Sequence, residues 1–426
     1  MSHLIQESLR CIPRRMASVL PKILAIATSL TAAIVVPVGP LLAFDKASYN
    51  PAILSLSFTK EASGDSSESP AVPGDADAAF LDLSLITADA PPAGVRVQVS
   101  KTFLRDQLRE FYRQIAKQSS LEVEKRSSPS RQLYALLVAP VRELLEKHKI
   151  STVLISADRG LQAVPYAALH DGRSYFGDQY AFSLTPSVRF TSLAPVGRST
   201  ARLLAAGVSD FELLAPLPMA ESEVRALAED RPSDVYLNQA FTPPPVLLNQ
   251  LAAGGSDRVH VATHAEFKPG GPSKARLHTG TQPLSLKEFS KIRNRDDADP
   301  IELFSLSACR TALGDGDSEL GFAGLALQAG SRSAIGTLWY VDDVATAAFF
   351  VQFYRYLDQG LPKAEALQAT RRAMQRGSIR LQGDQIIGVD GTPLISQLTE
   401  PQQSRITNGM RHPFFWSGIE LIGTPW

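Results

Sequence analysis

Arg258-Val259-His260-Val261-Ala262-Thr263-His264 and Ile301-Glu302-Leu303-Phe304-Ser305-Leu306-Ser307-Ala308-Cys309 decide how this chain is read. Each is a short, largely apolar run of strand length that ends in a side chain capable of acyl-transfer chemistry. A thiol is a strong nucleophile only when ionised, and a nearby imidazole can hold it in that state. If the two runs are neighbouring parallel strands, His264 and Cys309 emerge at one sheet edge. Open α/β sheets bind their ligands at that edge.

The rest of the chain supplies the sheet. From Ser151 onward, predicted strands alternate with helical patterns. The strands are Thr152–Ala157, Leu203–Gly207, Val235–Leu237, Arg258–Thr263, Ile301–Leu306 and Ala334–Leu338, with a closing strand at Ser417–Ile422. Helical spacing is read at Glu221–Glu229, Val344–Gln359 and Lys363–Arg376. Strands separated by helices imply βαβ units, hence an α/β fold with a mostly parallel sheet and helices on both faces. A smaller N-terminal lobe precedes it over residues 44–130. There, strand candidates Ala52–Thr59 and Ala79–Thr87 flank residues 60–78, a Ser, Gly, Pro, Asp and Glu mixture read as a flexible loop joining adjacent strands. Helical stripes follow at Lys101–Lys117 and Ser130–Lys149, the second kinked or split at Pro140.

Charge excludes some functions. Basic and acidic residues balance at 43 each, so no general electrostatic footprint for nucleic acid is present. With only Cys11 and Cys309, the chain is not a disulfide-built scaffold. Residues 1–43 read as targeting: Arg10, Arg14, Arg15 and Lys22 precede an uncharged stretch from Ile23 to Ala43. That pattern is a secretory signal peptide, with export to the periplasm or medium, or alternatively a retained membrane anchor. Pro37 and Pro40 near its end favour the signal peptide. Only a retained segment would bring a membrane into contact with the chain.

Taken alone, His264 and Cys309 each have a bland reading, as a hydrogen-bonded structural imidazole and as a small buried hydrophobe. Their surroundings change this. Ser307-Ala308-Cys309-Arg310-Thr311-Ala312 runs from strand through small residues toward a helix, so Cys309 is expected at a helix N-terminus that favours a thiolate. The N–H groups there can also hold an oxyanion. The order and 45-residue gap match caspases, whose His lies about 50 residues before the Cys. His260 and His264 also have a zinc-protease spacing. That motif needs a helix with Glu beside the first His, whereas here Val261 follows it and the pattern is a strand, so no metal is expected. No cofactor is expected either.

At these residues the chain resembles a CHAT domain of the caspase and separase group, in particular its cyanobacterial members. The likeness is spread over Asp158–Asp171, Tyr180–Ser187, Leu217–Val224, Ala262–Phe267, Leu306–Asp315, Glu319–Ala326, Ser333–Asp343 and His412–Gly418. It covers about residues 131–426 as one caspase-like domain. The resemblance implies a cysteine endopeptidase with His264 as general base and Cys309 as nucleophile. The N–H groups of Cys309 and Ala265 would form the oxyanion hole, with Ala265 where many relatives have Gly. It further implies substrate contacts after the Trp339 strand. Asp342 and Asp343 there, with Asp210 after Leu203–Gly207, would select Arg or Lys before the cut. Asp342 is equally placed to cap the following helix. Glu266 and Asp158 are expected to be structural. A protein substrate and a protein regulator are implied, the latter because the chain has no helical repeats to read a partner. The alternative is a non-catalytic CHAT-type interaction module.

Overall fold

The computed structural model describes residues 50–59, 78–87, 90–158, 160–185, 187, 202–229, 231–241, 255–266, 276–285, 288, 301–308, 321–328 and 330–426. Its strands in chain order are β1 (Pro51–Thr59), β2 (Ala78–Thr87), β3 (Ala93–Ser100), β4 (Thr152–Ala157), β5 (Ala181–Thr185), β6 (Leu203–Gly207), β7 (Ser233–Leu237) and β8 (Arg258–Ala262). Then come β9 (Ala265–Glu266), β10 (Arg276–His278), β11 (Pro283–Ser285), β12 (Leu303–Ser307), β13 (Ser333–Thr337), β14 (Arg380–Gln382), β15 (Gln385–Ile387), β16 (Pro393–Ile395) and β17 (Ile419–Gly423). Eleven of them form one sheet in the order β3-β2-β1-β4-β5-β17-β13-β12-β8-β6-β7.

Two strand chemistries divide that sheet. In β2, buried Leu81, Leu83 and Leu85 alternate with less buried neighbours, the period-two pattern of a strand with one covered face. In β5, β6 and β13 every residue is buried, as expected of strands covered on both faces. Within it β4 pairs parallel with β5, and β13, β12, β8, β6 and β7 pair parallel in turn, while β17 is parallel to β5 but antiparallel to β13, and β1–β3 form an antiparallel meander. The N-terminal lobe thus continues the main sheet, since β1 pairs parallel with β4. The α/β expectation holds, with helices flanking a large, mostly parallel sheet.

Helices α1 (Lys101–Ala116), α2 (Pro129–Leu137), α3 (Arg142–Lys147), α4 (Phe176–Gln179), α5 (Pro218–Glu229), α6 (Gly321–Gln328), α7 (Asp343–Asp358), α8 (Lys363–Arg376) and α9 (Glu400–Ile406) connect the strands. The stripe read over Ser130–Lys149 is split as expected: α2 ends at Leu137, and a 3-10 turn containing Pro140 precedes α3. Predicted edges elsewhere shift by at most three residues, the largest at α5, which begins at Pro218 rather than Glu221.

Some elements escaped the sequence reading. β3 was unread; it sits at the sheet margin directly after Pro91-Pro92, with alternate residues facing outward. β5 is short and buried throughout, so it shows no alternation. The small sheets β11-β10-β9 and β14-β15-β16 consist of strands of two or three residues, too short for any period to register. The leader over residues 1–43, the loop centred on 60–77, and Cys309 itself lie outside the described residues. Among the described residues, no helix is long and apolar enough to cross a membrane.

Candidate functional site

β8 and β12 are adjacent and parallel, paired from Arg258–Leu303 to Ala262–Ser307. His264 follows Ala262 by two residues, and Cys309 follows Ser307 by two. The pairing outlasts the strands, because the Thr263 N–H donates to the Ser307 carbonyl at 3.3 Å. On the other flank, the Thr337 hydroxyl at the end of β13 donates to the Ala308 carbonyl at 2.7 Å. The chain is therefore held on both sides up to the residue before Cys309. His264 and the segment leading to Cys309 leave the sheet at its carboxyl edge.

His264 is half-buried, and its contacts fix its ring. Its Nε2 lies 2.8 Å from the carbonyl oxygen of Ala215. A carbonyl only accepts, so the proton of that bond sits on Nε2 and the lone pair is left on Nδ1. The Phe211 ring packs against the imidazole with centroids 4.8 Å apart. Both contacts come from the segment between β6 and α5. That segment is itself pinned: Leu217 N–H donates to the Ser209 carbonyl at 2.8 Å, and Ser209 N–H to the Asn238 side chain at 2.8 Å. The His264 carbonyl accepts from His278 N–H at 2.9 Å, which seats β9 on β10. In that register Ala265 faces Leu277 as a non-hydrogen-bonded pair, so the Ala265 N–H points away from β10.

A carboxylate that the sequence reading did not single out lies beneath this edge. Glu223 of α5 is 3% exposed. Its Oε1 is 2.9 Å from Nε2 of His260, at the centre of β8, and its Oε2 accepts from the Ser307 hydroxyl at 3.1 Å. His260 is wholly buried, edge-on to Phe350 and Tyr354 of α7, and Tyr354 donates to the Ser305 hydroxyl at 3.2 Å. The closeness of α5 to the sheet depends on Gly207, where a Cβ would lie 2.9 Å from a Val224 methyl carbon. One signal was present in the sequence. Glu223 stands in the buried stripe of α5 with Met219, Ala220, Val224 and Leu227, a place that a carboxylate takes only with partners. His260 and His264 belong to the strand and its exit, in keeping with the reading against a helical zinc motif.

The three acids proposed for substrate differ in setting. Asp210 is exposed on the turn after β6, next to the Phe211 that touches His264. Asp342 is the N-cap of α7, accepting from Ala345 N–H at 3.0 Å, which is the capping role foreseen as its alternative. Its other oxygen accepts from Arg405 Nε at 2.9 Å, and Asp343 lies 2.5 Å from another nitrogen of the same guanidinium. So Asp342 and Asp343 share an internal cation. Asp158 accepts from Phe58 N–H at 2.7 Å, tying β4 to β1 as a structural carboxylate. Trp416 is buried in the turn that leads into β17.

A large, mostly parallel sheet flanked by helices is the architecture of the caspase-like fold class. The CHAT domain family matches residues 127–424. The chain belongs to the CHAT domain family. Among solved structures it is similar to separase in the Saccharomyces cerevisiae separase–securin complex determined at 3.0 Å, with a TM-score of 0.51 and 12% identity. That likeness covers 88% of this chain and 30% of the separase chain, so this protein spans under a third of that neighbour's length. The same complex at 2.6 Å gives a TM-score of 0.48 and 11% identity. No curated protein matches. The family match and the structural likeness agree on a caspase-like fold.

Proposed function

We propose that the chain is a cysteine endopeptidase in which His264 is the general base and Cys309 the nucleophile. The observation that carries this reading is the pairing of β8 with β12 up to Ala262–Ser307, with His264 held by Ala215 so that Nδ1 is the free nitrogen. His264 takes the thiol proton on Nδ1, and the Cys309 sulfur attacks the scissile carbonyl carbon. The oxygen gains the negative charge and is met by the N–H groups of Ala265 and Cys309. Collapse breaks the C–N bond, the imidazolium returns its proton to the leaving amine, and a thioester remains. Water, deprotonated by the same imidazole, then releases the acid and restores the thiol.

The substrate is a protein, cut after Arg or Lys, with Asp210, Asp342 and Asp343 as the selecting carboxylates. Asp210 carries the larger share, since Arg405 already compensates the other two. Regulation by a partner protein is supported by the likeness to separase, which was solved in complex with securin. Export by residues 1–43 belongs to the same proposal and is tested by finding Phe44 as the mature N-terminus. For the activity, a peptide mixture with each residue at the cleavage position is incubated with the protein. Cutting after Arg and Lys that disappears in Cys309→Ala supports the reading; cleavage that persists in that variant refutes it.

A further inference from the structure

Glu223 is a buried titratable group that the chemistry above does not use. Its two oxygens are divided between two strands. One meets His260 in β8, four residues before His264; the other meets Ser307, the last residue of β12 and two before Cys309. Both bonds lie on the face that α5 and α7 cover, since His260 also packs on Phe350 and Tyr354 of α7. The carboxylate accepts at both ends, so Nε2 of His260 bears its proton, and Nδ1 is buried with no hydrogen-bond partner among the described residues. A core that needed only to be filled would accept an apolar side chain at position 223 and an apolar one at 260. Instead two polar groups, Glu223 and His260, are buried and a third, Ser307, is half-buried, and their joint effect is to tie together the two strands whose ends carry the dyad.

We infer that Glu223 is a positioning residue for the dyad. Through Ser307 it sets where the chain leaves β12, and through His260 it locks that exit to β8, fixing the approach of Cys309 to His264. The inference rests on the dyad reading above. Reactions of this kind lose roughly a hundredfold in rate when the reacting atoms move by about 1 Å, so a loosened exit is visible in the thiol itself.

The test measures alkylation of Cys309 by iodoacetamide across pH 5 to 9, followed at the Cys309 peptide by mass spectrometry on the full chain, well below its melting temperature. Ser307→Ala removes one arm without opening a large cavity and is the primary variant; Glu223→Ala removes both arms. Ser307→Thr retains the hydroxyl. Ser305→Ala is the control, since Ser305 lies on the same face of β12 but bonds to Tyr354. The inference predicts that Ser307→Ala slows alkylation at neutral pH by roughly tenfold and shifts its pH profile. Ser307→Thr should restore both, and Ser305→Ala should leave both unchanged. Wild-type alkylation in Ser307→Ala, with only a lower melting temperature, would make Glu223 a stability residue and overturn the inference. Its failure is distinguishable from that of the dyad reading: in the latter case His264→Ala also leaves the alkylation profile unchanged.

Discussion

Two carboxylates, Glu223 and Glu420, are buried in this molecule to nearly the same degree, at 3% and 0% exposure. Glu420 in β17 faces Arg371 of α8 at 3.1 Å, and that guanidinium stacks over the Phe182 ring at 4.6 Å. The pair is closed on itself. Burial pushes the Glu420 carboxyl upward against the pull of Arg371, and β13 separates it from β12. Among the described residues Glu223 has no such cation. Its partners are an imidazole and a hydroxyl, one on each strand that leads to the candidate dyad. Burial alone therefore does not distinguish a structural carboxylate from one serving a site; the elements it joins do.

The largest expected effect breaks the self-contained side of that comparison. Glu420→Ala leaves the Arg371 charge buried without its carboxylate and should cost about 3–5 kcal/mol in urea unfolding. The alkylation rate of Cys309 should not change. A parallel fall in reactivity would erase the distinction between the two carboxylates.

Lys363 extends the same logic to the opposite edge of the sheet. Its Nζ donates to the Glu302 carbonyl at 3.0 Å, and burial pushes the amine from 10.5 down to about 7. Between those values the unfolded chain holds a proton that the folded chain lacks, so stability rises with pH through the window from about 7 to 10.5. A gain on the order of 2–4 kcal/mol is expected by equilibrium unfolding. Lys363→Met should flatten that slope. A wild-type slope that persists in the variant would assign it to other groups.

His264→Ala should lower stability by less than about 1 kcal/mol, because the ring is half-buried and loses one hydrogen bond and one aromatic contact. Little stability is invested in the residue on which the proposed chemistry depends. A loss as large as that of Glu420→Ala would instead make it a core residue. The smallest effect belongs to Arg405→Ala. Its guanidinium is 43% exposed, and solvent screening limits such pairs to about 0–1 kcal/mol. Thermal unfolding should barely move, while any preference for Arg or Lys substrates should sharpen as Asp342 and Asp343 are released.

Much of this was legible in the sequence where a local pattern determines the outcome. Leu203–Gly207 and Lys363–Arg376 were read to the residue, and Pro140 divides its helix as expected. The strand exits of His264 and Ser307 followed from the alternation of strand and helix. What escaped depends on distant partners. Nothing near Glu223 in the chain announces a hydroxyl 84 residues away, and nothing near Asp342 announces Arg405. Strands of three residues, such as β14–β16, are set by their neighbours and have no readable period. The Ala215 carbonyl was equally hidden, because a backbone group leaves no mark on composition.

The dyad itself is tested most directly by labelling with an electrophilic ketone probe bearing Arg or Lys, applied to the wild-type chain, His264→Ala and Cys309→Ala, with intact-mass detection. A single adduct on the wild type that is much reduced in His264→Ala and absent in Cys309→Ala is the predicted result. An adduct that forms equally well without His264, or that survives the loss of Cys309, would contradict it.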